Sequence, residues 1–416
     1  MGRDIAVIGS GLMGLATAIE LLRAGHRVTI IEPQTPGGEQ AASYGNAGWL
    51  STHSVIPPAE PGVWRKVPKF VLDPLGPLAI RWPYVLKASP WLIRYLLSGW
   101  TEQRVEQTAH ILRTLLKDAT ALHKALATEA GVPHLIAEGG VLQAYTDRKV
   151  FEADALAWQI RARTGIKWRE LCGVELRAED PALPAHYRFA VAIDEAGRCR
   201  NPGAYVTALA ELAKSRGAIF KTASAQDFRF EGEKLTGVIT DHGVVACDGA
   251  VIAAGIQSGK LTAKLGDRLP LESERGYHVM VEGLETGLRT SFMASDAKMV
   301  VQQMEHGLRA AGQVEIAGLA AAPDWRRAEI LRKHLHKMFP EADLSGAKVW
   351  LGHRPSMPDG RPCIGPSRRS PDIIYAFGHG HVGLVSSART GRVAASLIGR
   401  QTPEIPVAGF DPRRFL

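Results

Sequence analysis

The chain has 416 residues, enough for two domains, and its 45% hydrophobic and 22% charged residues are those of a globular protein. No apolar run reaches the roughly 18 residues needed to span a membrane, and four scattered cysteines (Cys172, Cys199, Cys247, Cys363) without a CxxC pair argue against a metal site or a disulfide framework. The net charge of +8 suits an anionic membrane surface or an acidic substrate, whereas the lack of any zinc-finger, RRM or basic-helix pattern speaks against nucleic acid.

The start, MGRDIAVIGSG, runs straight into a glycine motif with no small-residue cleavage site, so a cytoplasmic location is expected. Ile5–Ile8 reads as a short strand, followed by G-x-G-x-x-G at Gly9, Gly11 and Gly14. Leu15–Leu22 reads as a helix ending at Ala24-Gly25, and Arg27–Ile31 as a second strand ending at Glu32 and Pro33. Each glycine has a physical task. Gly9 permits a tight turn, Gly11 lets a pyrophosphate approach the backbone, and Gly14 lets the helix pack closely on the strand. The helix N-terminus faces the phosphate charge, with Leu12 and Met13 of the glycine motif carried as cofactor-binding residues. Glu32, eighteen residues after Gly14, can accept from ribose hydroxyls. A dinucleotide is therefore expected; this end of the chain leaves NAD and FAD open.

The loop at 35–62 contains Asn46-Ala47-Gly48, whose amides can lie beside a ring or phosphate if it is not a plain surface loop. Val63–Trp100 interleaves Trp64, Trp82, Trp91 and Trp100 with Arg65, Lys66, Lys69, Arg81, Lys87 and Arg94, with Asp73 as its one acid. Such a segment suits an anionic bilayer surface; a packed connector is the alternative. Thr101–Glu129 has the apolar spacing of one long helix, Val141–Thr146 reads as a strand, and Phe151–Thr164 as a helix.

Cys199–Phe220 reads as loop, helix and strand, leading towards Ala225. Gly243–Gly259 gives a strand, a turn and an apolar strand ending at Ala254-Gly255, which resumes the first fold after an insertion. Arg275–Gly283 and Met299–Ile316 alternate as antiparallel strands, and Asp324–Met338 is a helix. Gly352–Gly365, GHRPSMPDGRPCIG, reads as a loop carrying His353, Arg354, Asp359 and Arg361. Gly378, His379, Gly380, His381, Val382, Gly383 and Leu384 then form a second glycine-rich helix start. One anion site suffices for NAD, whereas two helix starts aimed at one cofactor suit FAD: one for the pyrophosphate and one for the flavin pyrimidine.

These pieces together resemble the flavin-dependent D-amino-acid dehydrogenases of the small-subunit type, within the D-amino-acid oxidase and glycine oxidase superfamily. The matching stretches are IAVIGSGLMGLATAIELLRAGHRVTIIE, NAGWLS, RGYHV, GHRPSMPDGRPCIG and FGHGHVGL, spread from end to end. The resemblance implies an α/β fold, with a Rossmann-like FAD domain from discontinuous segments (1–85, 195–265, 345–416). An α+β substrate domain with a mixed or antiparallel sheet (86–194, 266–344) is inserted in it. It implies oxidation of an α-amine to an imine by hydride transfer from Cα to FAD, followed by hydrolysis. Arg354 would clamp the substrate carboxylate, because a planar guanidinium matches a carboxylate bidentately; pairing with a domain-closing acid is the alternative. Tyr277 would line the substrate pocket, Ala225 would contact the adenine side, and Asp359-Gly360 would border the flavin.

His53, His353 and His381 depart from the family pattern. They would alter substrate choice, towards a D-proline-type imino acid for example, or move protons, unless they are packed or solvated residues. His53 is carried with Arg354 and Tyr277 as a catalytic candidate. Electrons are expected to pass to a quinone or another carrier at the inner membrane face. The alternatives are an oxygen-using oxidase of the glycine oxidase or sarcosine oxidase type, and an electron-relay subunit working with a partner chain.

Overall fold

The computed structural model describes residues 2–67, 72–73, 75–76 and 78–416, and of Lys66 only the backbone. Lys69 of the basic segment lies outside the described residues. Among these residues two large sheets organise the chain. The first has the order Ile219–Lys221, Arg27–Ile31, Asp4–Ile8, Gly249–Ile252, Ile373–Phe377, Cys363–Pro366. All its pairings are parallel except the last. Both faces are covered, which explains why Ile5–Ile8 is an unbroken apolar run. Ile5 and Val7 enter one core with the helices Leu12–Arg23, Pro202–Ser215 and Gly383–Ile398. Ala6 and Ile8 enter another, against Phe228, Leu235 and Val238 of a three-stranded meander. The helices Leu12–Arg23 and Gly383–Ile398 cross closely, because a Cβ on Gly391 would stand 2.6 Å from the Ala16 carbonyl carbon. Residues at both helix starts border one cavity.

The second sheet has nine strands. Its order is Lys348–Ser356, Glu272–Glu282, Gly307–Ile316, Met299–Met304, Phe292–Ala294, Val141–Tyr145, Phe189–Ile193, Arg169–Cys172, with Leu78–Ile80 beside Gly307–Ile316. The helix Arg326–Met338 covers one face through Ala328, Leu331 and Leu335, packed with Tyr277 and Val279. The other face looks towards the first sheet.

Three sequence expectations change. The stretch expected as a loop around Arg354 is the edge strand Lys348–Ser356 of the second sheet. An edge position tolerates Pro355, whose missing N–H breaks no ladder. Segment 345–416 is thus shared between the sheets, as is 1–85, which contributes Leu78–Ile80. The long helix over Thr101–Glu129 is two, Glu102–Leu116 and Ala119–Glu129, broken where Asp118 takes φ 60°. Phe151–Thr164 is likewise split into the end of Arg148–Glu152 and Ala155–Arg163.

Candidate active site

A cavity of about 1290 Å³ lies between the two sheets and is lined from both. Its first half is built on the glycine turn. Gly9 has φ 104°, and a Cβ there would meet the Ala253 carbonyl at 2.5 Å. A Cβ on Gly14 would stand 1.9 Å from the Gly9 carbonyl. By contrast, a Cβ on Gly11 would meet only Ser43 Oγ, at 3.4 Å, so its backbone faces open space. The helix that starts at Leu12 and Met13 has no side-chain cap and no acid in its first turn, which leaves donors for an anion. Glu32 Oε2 accepts from Ser10 N at 2.8 Å, holding the carboxylate at the end of its strand. Pro33, Ala225, Ala254 and Gly255 continue this wall.

The second helix start faces the same cavity. Gly383–Ile398 also lacks a side-chain cap and a first-turn acid. His379, Gly380, His381, Gly383 and Leu384 border the space, while Val382 packs behind into an apolar core and Gly378 forms the turn at φ 85°. The His379 ring is turned inward onto Thr390 Oγ1 at 3.1 Å, and burial drives its pKa down to about 3. Asn46 and Ala47 line the cavity; Gly48, at φ 80°, sits behind them. Buried Arg309 holds this loop by donating to the Tyr44 and Asn46 carbonyls at 3.2 and 2.8 Å. Two uncapped helix starts, an acidic strand end and one elongated cavity fit FAD.

Arg354 stands at the sheet end of this space. Its Nη1 donates to the Gln313 carbonyl at 3.1 Å, and Gln313 itself sits at φ 62° in a bulge that turns that carbonyl inward. Among the described residues no carboxylate lies within the 4.0 Å of an ion pair with Arg354. Gly276, two residues from its cross-strand neighbour Glu274, makes room for the guanidinium: a Cβ there would fall 2.2 Å from Arg354 Cζ. The domain-closing-acid alternative therefore has no partner here.

The other expected site residues are placed differently. Tyr277 touches the cavity, but its hydroxyl donates to Glu315 Oε2 at 2.7 Å and accepts from the Asp324 N–H at 3.1 Å. Burial first, then the Glu315 bond, raise its pKa to about 12. That hydroxyl is engaged in the core of the nine-stranded sheet rather than free to orient a ligand. His53 is fully buried outside the cavity lining, edge-on to Trp49 and in hydrogen-bond contact with Gln143 through Nε2. Burial brings its pKa to about 3, so it is a neutral packing residue. Asp359 does not border the cavity; it binds Arg361 and Arg414, tying the C-terminus down. His353 Nδ1 pairs with Ser273 Oγ at 2.8 Å.

Sequence reasoning missed Glu274. It is 4% exposed, and its Oε2 receives both His381 Nε2 and Ser356 Oγ at 2.9 Å. Burial alone would raise its pKa; the His381 charge and the bonds from His381 and Ser356 outweigh that and hold it below the ordinary carboxylate value. The period-two pattern of Glu272–Glu282 carries a signal, since residues 274 and 276 share a face, but only the strand pairing shows that Arg354 is opposite.

Comparison with known proteins agrees with this geometry. Residues 4–397 match the family model described as FAD dependent oxidoreductase (DAO). The chain is 62% identical to a D-amino-acid oxidase of Bradyrhizobium diazoefficiens, over 100% of this chain and 99% of the relative. It is 30% identical to a D-amino acid dehydrogenase of Paramagnetospirillum magneticum, over 99% and 98%. Among solved structures it is similar to glycine oxidase from Geobacillus kaustophilus, at TM-score 0.73 and 22% identity with 100% of each chain covered. The chain thus belongs to the DAO family of FAD-dependent oxidoreductases.

Proposed function

We propose that this enzyme oxidatively deaminates a D-amino acid, a D-proline-type imino acid included, giving an imine that water hydrolyses to a 2-oxo acid. The observation that carries the reading is Arg354, a cation in the cavity wall with no carboxylate within ion-pair distance among the described residues. Burial lowers its pKa, yet a guanidinium remains charged, so the site holds a fixed positive group for a carboxylate. FAD supplies the acceptor for the hydride that leaves Cα. The protein's share is to fix the substrate by its carboxylate and to place two helix N-termini where negative charge collects. On this reading the six-stranded sheet carries the cofactor and the nine-stranded sheet carries the substrate clamp. Anaerobic mixing with D- and L-amino acids, followed by the oxidised-flavin absorbance, tests it. Bleaching by D-forms is expected; bleaching by none of them sinks the proposal.

We further propose that electrons leave at a bilayer. The helix Val85–Ser98 packs Ala88, Trp91 and Tyr95 inward and turns Leu86, Ile93 and Leu97 outward, with Lys87 and Arg94 beside them. Trp64, Trp82 and Trp100 are also exposed on this segment. An apolar outward face rimmed by cations suits peripheral binding to an anionic inner membrane face, and no described helix is long and apolar enough to cross one. The patch adjoins the cavity, because Gly318, next to the cavity-lining Leu319, packs on Tyr84. A quinone is then the expected acceptor. Flotation with anionic vesicles should fail for Leu86→Glu/Ile93→Glu; unchanged flotation overturns the docking reading. Oxygen is the second reading, favoured by the 62% identity to a relative called an oxidase. Peroxide formed one-for-one with substrate in air decides for it. A single purified chain that reduces a dye needs no partner subunit.

A further inference from the structure

Of the three unusual histidines, His353 and His381 both line the cavity, and His381 is the one set against a buried carboxylate. Its side chain is 42% exposed, its Nε2 lies 2.9 Å from Glu274 Oε2, and it lines the same space as Arg354. Nε2 is taken by Glu274, and among the described residues no hydrogen bond is formed to Nδ1. Glu274 itself cannot meet a substrate directly. It is almost wholly buried, and its Oε2 is occupied by His381 and Ser356. The arrangement is a carboxylate that fixes one imidazole nitrogen as a donor and thereby leaves the other as an acceptor.

An amino acid held by its carboxylate arrives mostly as the ammonium form at neutral pH. A hydride cannot leave Cα until the nitrogen has a lone pair to push with. We propose that His381 Nδ1 takes this proton, with Glu274 as the positioning residue behind it. One N–H bond of the ammonium breaks and an Nδ1–H bond forms. The positive charge moves from substrate to imidazolium, and nothing is oxidised or reduced in the step. Glu274 compensates the new charge, and the exposed ring then returns the proton to water through the cavity. The charged and titratable groups facing the pair include Glu272 on the strand of Glu274, Arg354 on the edge strand, Tyr95 on the helix Val85–Ser98 and His379 on the same loop, whose ring is turned away onto Thr390.

The proposal rests on the amino-acid reading above, and the test separates the two. Anaerobic flavin reduction by D-alanine and D-proline is followed against pH in the wild type, His381→Gln and Glu274→Gln, with binding of propionate, a carboxylate without an amine, read from the flavin spectrum. The wild-type kcat/KM should level off well below the ammonium pKa, near roughly 10 for an alkylamine. His381→Gln should instead climb tenfold per pH unit towards that value, because only free amine reacts, and at pH 7 it should be slower by about 10²–10⁴-fold. Propionate should bind His381→Gln as it binds the wild type, and added imidazole should speed His381→Ala. Glu274→Gln should shift the wild-type limb while keeping propionate binding. A His381→Gln profile that superimposes on the wild type overturns the inference and leaves the deamination intact. Failure of every amino acid to reduce the wild-type flavin overturns the deamination, and the inference with it.

Discussion

Gly276→Ala moves the clamp without touching its charge. The new Cβ would lie 2.2 Å from Cζ and Nη2 of Arg354 and 2.5 Å from Nη1. Favourable contact between such atoms begins at about 3.5 Å, so the guanidinium must retreat by roughly 1 Å. The clashing atoms are the far end of a flexible side chain, and the strand backbone stays where it is. A displacement of about 1 Å at a positioning group costs about 10²-fold in rate, or about 2.7 kcal/mol. The expected outcome is a folded, yellow protein whose kcat/KM for D-amino acids and affinity for propionate both fall about a hundredfold. Thermal melting, the visible flavin spectrum and stopped-flow reduction measure the three quantities. If Gly276→Ala binds propionate and turns over like the wild type, Arg354 is not the carboxylate clamp.

Arg354→Lys keeps the charge but loses the bidentate fork; it should weaken propionate binding about as much as Gly276→Ala, read from the same spectral titration. Tyr277→Phe should keep KM near wild type and lose stability by about 1.5–3 kcal/mol, since Glu315 loses a donor; a raised KM with unchanged stability would return Tyr277 to the substrate. Glu32→Ala should loosen FAD at the ribose end, measured as faster flavin loss in dilute solution; an unchanged off-rate would refute that role. Burial holds His53, His278 and His379 at about 3 and His123 at about 4. These folded values lie below the unfolded value of about 6.5, so the unfolded chain takes protons first as pH falls. Stability should therefore drop from pH 6.5 down to about 3, by up to about 2 kcal/mol per histidine at pH 5. A urea midpoint that is equal at pH 7 and pH 5 would contradict it.

The glycine turn, its flanking strands and Glu32 were legible because each depends on neighbours in sequence. Gly14 needs its missing Cβ for a contact with the Gly9 carbonyl inside one strand–turn–helix unit, and Gly9 takes the positive φ of the turn. The second helix start at Gly378–Leu384 was legible for the same local reason. The element around Arg354 was not legible: its glycines and prolines suggest a loop, whereas pairing with Glu272–Glu282 makes an edge strand.

The histidines mark the boundary most clearly. His53, His353 and His381 look alike in the chain, and nothing local distinguishes them. Tertiary packing makes His53 a neutral core residue, ties His353 to Ser273, and sets His381 against Glu274, more than a hundred residues away. Tyr277 is the converse case, a motif residue whose hydroxyl the bulged neighbour strand claims through Glu315. Backbone conformation is a local property, so composition and spacing specify it. Burial, charge and the direction of a side chain depend on which distant strand lies alongside, and only the assembled sheets settle that.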